Sequence, residues 1–116
     1  MSSKFCKKFS SYRPWFLAFV FIFICSCLKT QTSKDAEAYH DSGHAYLLKG
    51  EYGLAIKDFN KALKIAPEYK ITYFNRAAAY KAKGEYGLAI KDYTKALEID
   101  PKYPEAYNNL ENLKNK

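Results

Sequence analysis

Cysteine is scarce in this 116-residue chain, and all three, Cys6, Cys25 and Cys27, fall in the first 27 positions. No thiol follows Cys27, which excludes a disulfide framework and a metal site of the CxxC type from the rest of the chain. Nucleophile elbows of the GxSxG kind, glycine-rich phosphate loops and HExxH pairs are also missing. Acidic pairs such as Glu98 and Asp100 suit helix ends and solvent, so catalysis is not expected, no catalytic residue is assigned and no cofactor is implied. Acids are absent from the first thirteen residues, which hold four of the nineteen bases: Lys4, Lys7, Lys8 and Arg13. The net charge of +7 therefore overstates the rest: beyond Ser26, fifteen bases face twelve acids. That small excess is expected to be spread along the chain with no basic face, so nucleic acid is not an expected partner. The whole chain is 48% hydrophobic and 17% aromatic, a composition able to form a folded core.

Long apolar runs are limited to one. Trp15 to Ile24 is wholly apolar, follows the basic segment and leads into Cys25, Ser26 and Cys27, the layout of a secretory signal. As a helix, the uncharged stretch Pro14 to Leu28 would reach roughly 22 Å, short of the ~30 Å hydrocarbon core of a bilayer. The residues Ile24, Cys25, Ser26 and Cys27 resemble the lipobox of bacterial lipoproteins, which implies cleavage before Cys27 and acylation of Cys27. The resemblance implies an exported protein held in the bacterial envelope by a lipid anchor; an ordinary cleaved signal or a short uncleaved anchor is the alternative. More than one acyl chain is needed for firm attachment, because each buried CH₂ contributes only about 0.8 kcal/mol. The expected organisation is a signal over 1–26, a polar tether over 27–34 and a folded domain over 35–116.

Within that domain the sequence KGEYGLAIKD occurs twice, at Lys49 to Asp58 and at Lys83 to Asp92, an interval of thirty-four (83 minus 49). Laying Ala36 to Tyr69 over Lys70 to Tyr103 gives nineteen identities, so the chain is read first as a repeat. Tyr52, Ala55, Ile56, Phe59, Ala62 and Leu63 recur at helical spacing, as do Tyr86, Ala89, Ile90, Tyr93, Ala96 and Leu97. A second stripe precedes each: Tyr39, Gly43, Tyr46 and Leu47, then Tyr73, Ala77 and Tyr80. Gly50 and Gly84 are placed to end these first helices, and Pro67 and Pro101 to end the second ones. Each unit reads as helix, tight turn, helix. Lys57, Lys91, Asp58 and Asp92 of the decapeptide are expected on the solvent side, where packing demands no identity.

These residues carry a resemblance to the tetratricopeptide repeat, whose pattern is an aromatic, a small residue followed by tyrosine, then A-x₃-F and a closing proline. Tyr39, Gly43, Tyr46, Ala55, Phe59, Ala62 and Pro67 match in one unit; Tyr73, Ala77, Tyr80, Ala89, Tyr93, Ala96 and Pro101 match in the next. The expected fold class is all-α, a short solenoid of two repeats, 36–69 and 70–103, closed by a capping helix over 104–115. Ser42 and Arg76 stand where the pattern has leucine, and should leave a hole or a buried stem that lowers local stability.

The resemblance implies a non-enzymatic scaffold whose first helices line a concave groove for a partner peptide or helix. By helical phase the groove residues are Glu37, His40, Asp41 and His44; Phe74, Asn75, Ala78 and Lys81; and Asn108, Asn109 and Asn112. Members of the family that clamp acidic C-terminal tails need lysines, an arginine and asparagines here, and only Asn75 matches, so that activity is disfavoured. Two alternatives stand beside the scaffold. One is a structural component that pairs with another copy of itself or joins a larger envelope assembly. The other is a metal-binding accessory using His40 and His44, one turn apart, with Glu37 and Asp41 nearby.

Overall fold

A computed structural model of the protein describes Thr32–Lys116, which form one compact unit. The signal over 1–26, Cys27 and the first part of the tether lie outside the described residues. Five helices follow one another: α1 over 32–48, α2 (Tyr52–Ile65), α3 (Lys70–Ala82), α4 (Tyr86–Ile99) and α5 (Pro104–Lys114). Residues 32–34, assigned above to the tether, already belong to α1. No strand occurs among the described residues, and none of their helices is long and apolar enough to cross a membrane.

The helix ends follow from glycine and proline at the expected places. Gly50 and Gly84 adopt φ of 77° and 83°, the left-handed conformation that other residues take only at a cost. At the first, the Gly50 N–H bonds the Leu47 carbonyl at 3.1 Å and the Glu51 N–H bonds Tyr46 at 2.9 Å. At the second, Gly84 bonds Lys81 at 3.0 Å and Glu85 bonds Tyr80 at 2.9 Å. Both are Schellman closures, which satisfy carbonyls that the helix leaves open and turn the chain sharply back. Helices α2 and α4 stop at Ile65 and Ile99, two residues before Pro67 and Pro101.

The apolar stripes enter the core except at their first residues Tyr39 and Tyr86, which are 37% and 44% exposed. Ala55, Phe59, Ala62 and Leu63 of α2 are buried, as are Ala89, Tyr93 and Ala96 of α4. Ala77 of α3 and Ala106, Leu110 and Leu113 of α5 pack into the α4 cluster, so α5 covers the last apolar face of the stack. Small residues set how closely the axes approach. A Cβ built on Gly43 would lie 2.7 Å from the Phe59 ring and 3.2 Å from the Ala55 carbonyl oxygen, so only glycine fits that crossing without a shift.

The positions expected to be weak are tied down by polar links. Arg76 grips Asp92 with two hydrogen bonds, Nε to Oδ2 at 2.6 Å and Nη2 to Oδ1 at 2.7 Å, and reaches Asn60 Oδ1 of α2 at 2.6 Å through Nη1. Its guanidinium also lies 5.5 Å and 5.9 Å from the ring centroids of Tyr73 and Tyr80. Burial disfavours its charge, but the Asp92 hydrogen bonds and charge outweigh this and hold the Arg76 pKa above its ordinary value. In the first repeat, the Ser42 hydroxyl donates to Asp58 Oδ2 at 2.6 Å across the same interval of sixteen residues. The expectation that Asp58 and Asp92 face solvent fails: Asp92 is 4% exposed and Asp58 is half-buried. The aspartate that ends each decapeptide accepts from the residue replacing leucine; Arg76 is the buried stem expected there, and Ser42 stays exposed. No buried side-chain polar atom lacks a partner among the described residues.

Candidate functional site

The two inter-repeat joints are built alike and filled differently. His40, Phe59 and Tyr69 form one aromatic trio, with the His40 ring 5.8 Å from Phe59 and 5.3 Å from Tyr69. Thirty-four residues on, Phe74, Tyr93 and Tyr103 repeat it, with Phe74 centroids 5.6 Å and 5.2 Å from the other two. Opposite His40 stands Thr72, whose Oγ1 lies 2.9 Å from His40 Nδ1; the matching position opposite Phe74 is Ala106. A polar pair in one joint is thus exchanged for an apolar pair in the other. Burial pushes the Tyr93 phenol up to about 12.

This arrangement moves His40 out of the expected groove. It is 8% exposed, wedged between α1, α2 and α3, and burial lowers its pKa, with His44 adding to that and Asp41 and Glu37 opposing it. The His40 and His44 rings lie parallel, 8° apart in plane with centroids 6.4 Å apart. Nδ1 of His40 is turned to Thr72 rather than toward His44. No group of three or more His, Cys, Asp or Glu placed to hold a metal occurs among the described residues.

The other residues assigned to the groove divide by exposure. Glu37, Asp41 and His44 of α1 are exposed, as are Lys81 of α3 and Asn108 and Asn112 of α5. Asn75, Ala78 and Asn109 are half-buried, which leaves part of each at the surface, whereas Phe74 is turned into the second joint. On α3, Ala78 and Lys81 lie across the helix from Arg76, the residue that reaches α2 and α4, and Asn75 lies about a quarter turn from it. These α3 residues are polar or small, and the amides of Asn75 and of Asn108, Asn109 and Asn112 on α5 can each both donate and accept.

The opposite side has a character that the linear sequence hides. Contrary to the expectation of evenly spread bases, Lys57, Lys61 and Lys64 share the solvent face of α2, and Lys91 and Lys95 share that of α4. Lys95 pairs with Glu98 at 3.1 Å, and Lys61 approaches Asp58 at 3.8 Å while lying over the Tyr39 ring. Lys57, Lys64 and Lys91 make no ion pair among the described residues. The signal for this face was present in the helical phase of 57, 61 and 64, but net charge alone does not reveal it.

Two family models match the chain: a tetratricopeptide repeat over residues 71–103 and a TPR repeat over residues 43–84. Among solved structures, the Sgt2 TPR domain from Aspergillus fumigatus is 37% identical, over 68% of this chain and 52% of that one, with a TM-score of 0.65. The TPR2B domain of yeast Sti1, in a pHsp70 complex, is 34% identical over 69% of this chain and 64% of its own, with a TM-score of 0.67. The second TPR of Spaghetti (RPAP3), bound to the HSP90 peptide SRMEEVD, is 26% identical over 73% of this chain and 79% of its own, with a TM-score of 0.70. The chain thus spans about half the length of the Sgt2 domain it matches. No curated protein matches it in sequence.

Proposed function

Because the chain belongs to the tetratricopeptide repeat family across residues 43–103, we propose that it is a non-enzymatic scaffold that holds an extended partner peptide on the α1, α3 and α5 side. The observation that carries this reading is the set of amides Asn75, Asn108, Asn109 and Asn112, each at least partly exposed, with Ala78 and Lys81. Amides at such spacing suit main-chain recognition, since a peptide backbone offers alternating donors and acceptors. The Sti1 relative is in a pHsp70 complex and the RPAP3 relative is bound to an HSP90 peptide, which supports a polypeptide as the ligand class. The ligand here differs from SRMEEVD in chemistry, because Glu105 and Asn109 stand where a clamp for an acidic tail needs cations and His40 is buried in a joint.

In this reading the scaffold is exported and held in a bacterial envelope through acylated Cys27, with the groove presented to partners in the same compartment. Mass spectrometry of the membrane fraction tests the anchor: a mature N-terminus at Cys27 carrying acyl mass supports it, and an intact Met1 to Arg13 refutes it. The groove is tested by selecting peptides from a displayed library on the full-length chain and repeating the selection on Asn75→Ala/Asn112→Ala. Loss of the selected peptides from the variant supports the groove, whereas equal recovery places binding elsewhere. Self-association is a second reading, favoured by Tyr107, which is 57% exposed on α5 although its counterpart Tyr73 is half-buried. It requires the unfolding midpoint to rise with protein concentration.

A further inference from the structure

We infer that the solvent face of α2 and α4 is a second binding surface, and that its occupant is an anionic lipid bilayer. The face consists of two parallel stripes at helical spacing. One runs Leu54, Lys57, Lys61, Lys64; the other, thirty-four residues on, runs Leu88, Lys91, Lys95, Glu98, and all eight are exposed. Arg76, bonding Asn60 of α2 and Asp92 of α4 from one side chain, places both helices on the same side of α3.

Core packing accounts for Ala55, Ile56 and Asp58 of the decapeptide and for their counterparts, but not for Leu54 and Leu88. These are 44% and 45% exposed, each beside a glycine, Gly53 or Gly87, whose missing Cβ would meet nothing within 4 Å. Exposed leucine at the start of a helix followed by lysines one and two turns later is the chemistry of an interfacial contact: apolar side chains enter the headgroup boundary and ammonium groups meet lipid phosphates.

The charge on the molecule is divided accordingly. The stripes carry five lysines against Glu98; Lys95 pairs with Glu98 and Lys61 approaches Asp58, whose carboxylate also accepts from Ser42, while Asp92 is turned inward to Arg76. The groove side carries Glu37, Asp41 and Glu105 against Lys34 and Lys81. An anionic surface therefore attracts the α2 and α4 side and repels the groove side, which leaves the groove open toward its peptide. Each lysine brought to an anionic leaflet strengthens attachment by roughly fivefold, so the unpaired Lys57, Lys64 and Lys91 together give about a hundredfold.

Lysine acetylation footprinting of the full-length chain tests this, because it reads each side chain separately from any attachment through the N-terminal segment. Vesicles of phosphatidylcholine alone are compared with equal parts phosphatidylcholine and phosphatidylglycerol. The expected result is a fall of about fivefold or more in the acetylation rate of Lys57, Lys64 and Lys91 on the anionic vesicles only, with Lys81 unchanged. The protection should disappear near ~1 M salt, where screening is strongest. In Lys57→Glu/Lys64→Glu/Lys91→Glu, whose changes are all on exposed positions, protection of Lys61 and Lys95 should be lost while circular dichroism stays helical. Equal rates on the two vesicle types overturn the inference, as does protection that extends equally to Lys81. Protection by polyglutamate but not by anionic vesicles assigns the face to an acidic polypeptide and overturns the lipid assignment. None of these outcomes depends on whether the groove binds peptide.

Discussion

Replacing Arg76 by leucine, the residue common at this place in the repeat pattern, should weaken the protein rather than improve it. The change removes both hydrogen bonds to Asp92, whose side chain is 6% exposed, and leaves its carboxylate without a partner between α3 and α4. Orphaning one member of a buried ion pair costs about 3–5 kcal/mol. Arg76 itself is 18% exposed, so part of that interaction is already screened, and the leucine recovers some apolar burial. The net loss is about 2–3 kcal/mol, which for a domain of this size lowers the midpoint by roughly 10–20 °C. Asp92→Ala should cost less, about 1–2 kcal/mol, because the guanidinium keeps Asn60 and the faces of Tyr73 and Tyr80. The double variant Arg76→Leu/Asp92→Ala should lose much less than the two singles added together, since no charge is left unpaired. Thermal unfolding of the full-length chain followed by far-UV circular dichroism measures all three. An Arg76→Leu midpoint at or above that of the parent, or strict additivity in the double variant, would refute the claim that this polar link holds the repeats together.

His40 makes stability depend on acid. Its folded pKa lies below the 6.5 of the exposed group, so the unfolded chain binds more protons just below that value. Stability should therefore fall as pH drops from about 6.5 toward the lowered folded pKa and level off beneath it, as denaturant midpoints across that range will show. Copying the second joint into the first with His40→Phe/Thr72→Ala should flatten this dependence, whereas His40→Phe alone leaves the fully buried Thr72 hydroxyl without its partner and should cost about 1–3 kcal/mol. Gly53→Ala and Gly87→Ala, in helical backbone with open space around the new methyl, should each add about 0.4–1 kcal/mol to the unfolding free energy in urea titrations. Gly43→Ala should do the reverse, since its methyl would press on Phe59, and a stabilised Gly43→Ala would show that α1 and α2 are less closely packed than described.

Most of the architecture was legible because the residues that shape it act locally. Gly50, Gly84, Pro67 and Pro101 mark the turns by backbone chemistry alone, and the alanine and aromatic stripes announce buried faces by their period. What the sequence concealed are relations between elements. Asp58 and Asp92 look like surface residues in their own helices, and only the crossing with the preceding helix brings Ser42 and Arg76 to them. The interval of sixteen residues is the same in both units, so a comparison of the two substituted positions with the two conserved aspartates could have suggested the pairing. His40 was read by phase as a groove residue, yet it sits where phase alone does not separate an open face from an inter-repeat joint. Its counterpart Phe74 carried the better signal, because an aromatic at that register points to burial. The lysine face likewise needs α2 and α4 on the same side of α3.

Isotope-edited NMR of the full-length chain with a library-selected peptide puts the scaffold reading to its most direct test. The account predicts that the amide signals of Asn75, Lys81 and Asn112 shift on titration while those of Lys57, Lys64 and Lys91 stay in place, and that SRMEEVD moves neither set. Shifts confined to α2 and α4, or saturable shifts with SRMEEVD at Asn75 and Asn109, would contradict it.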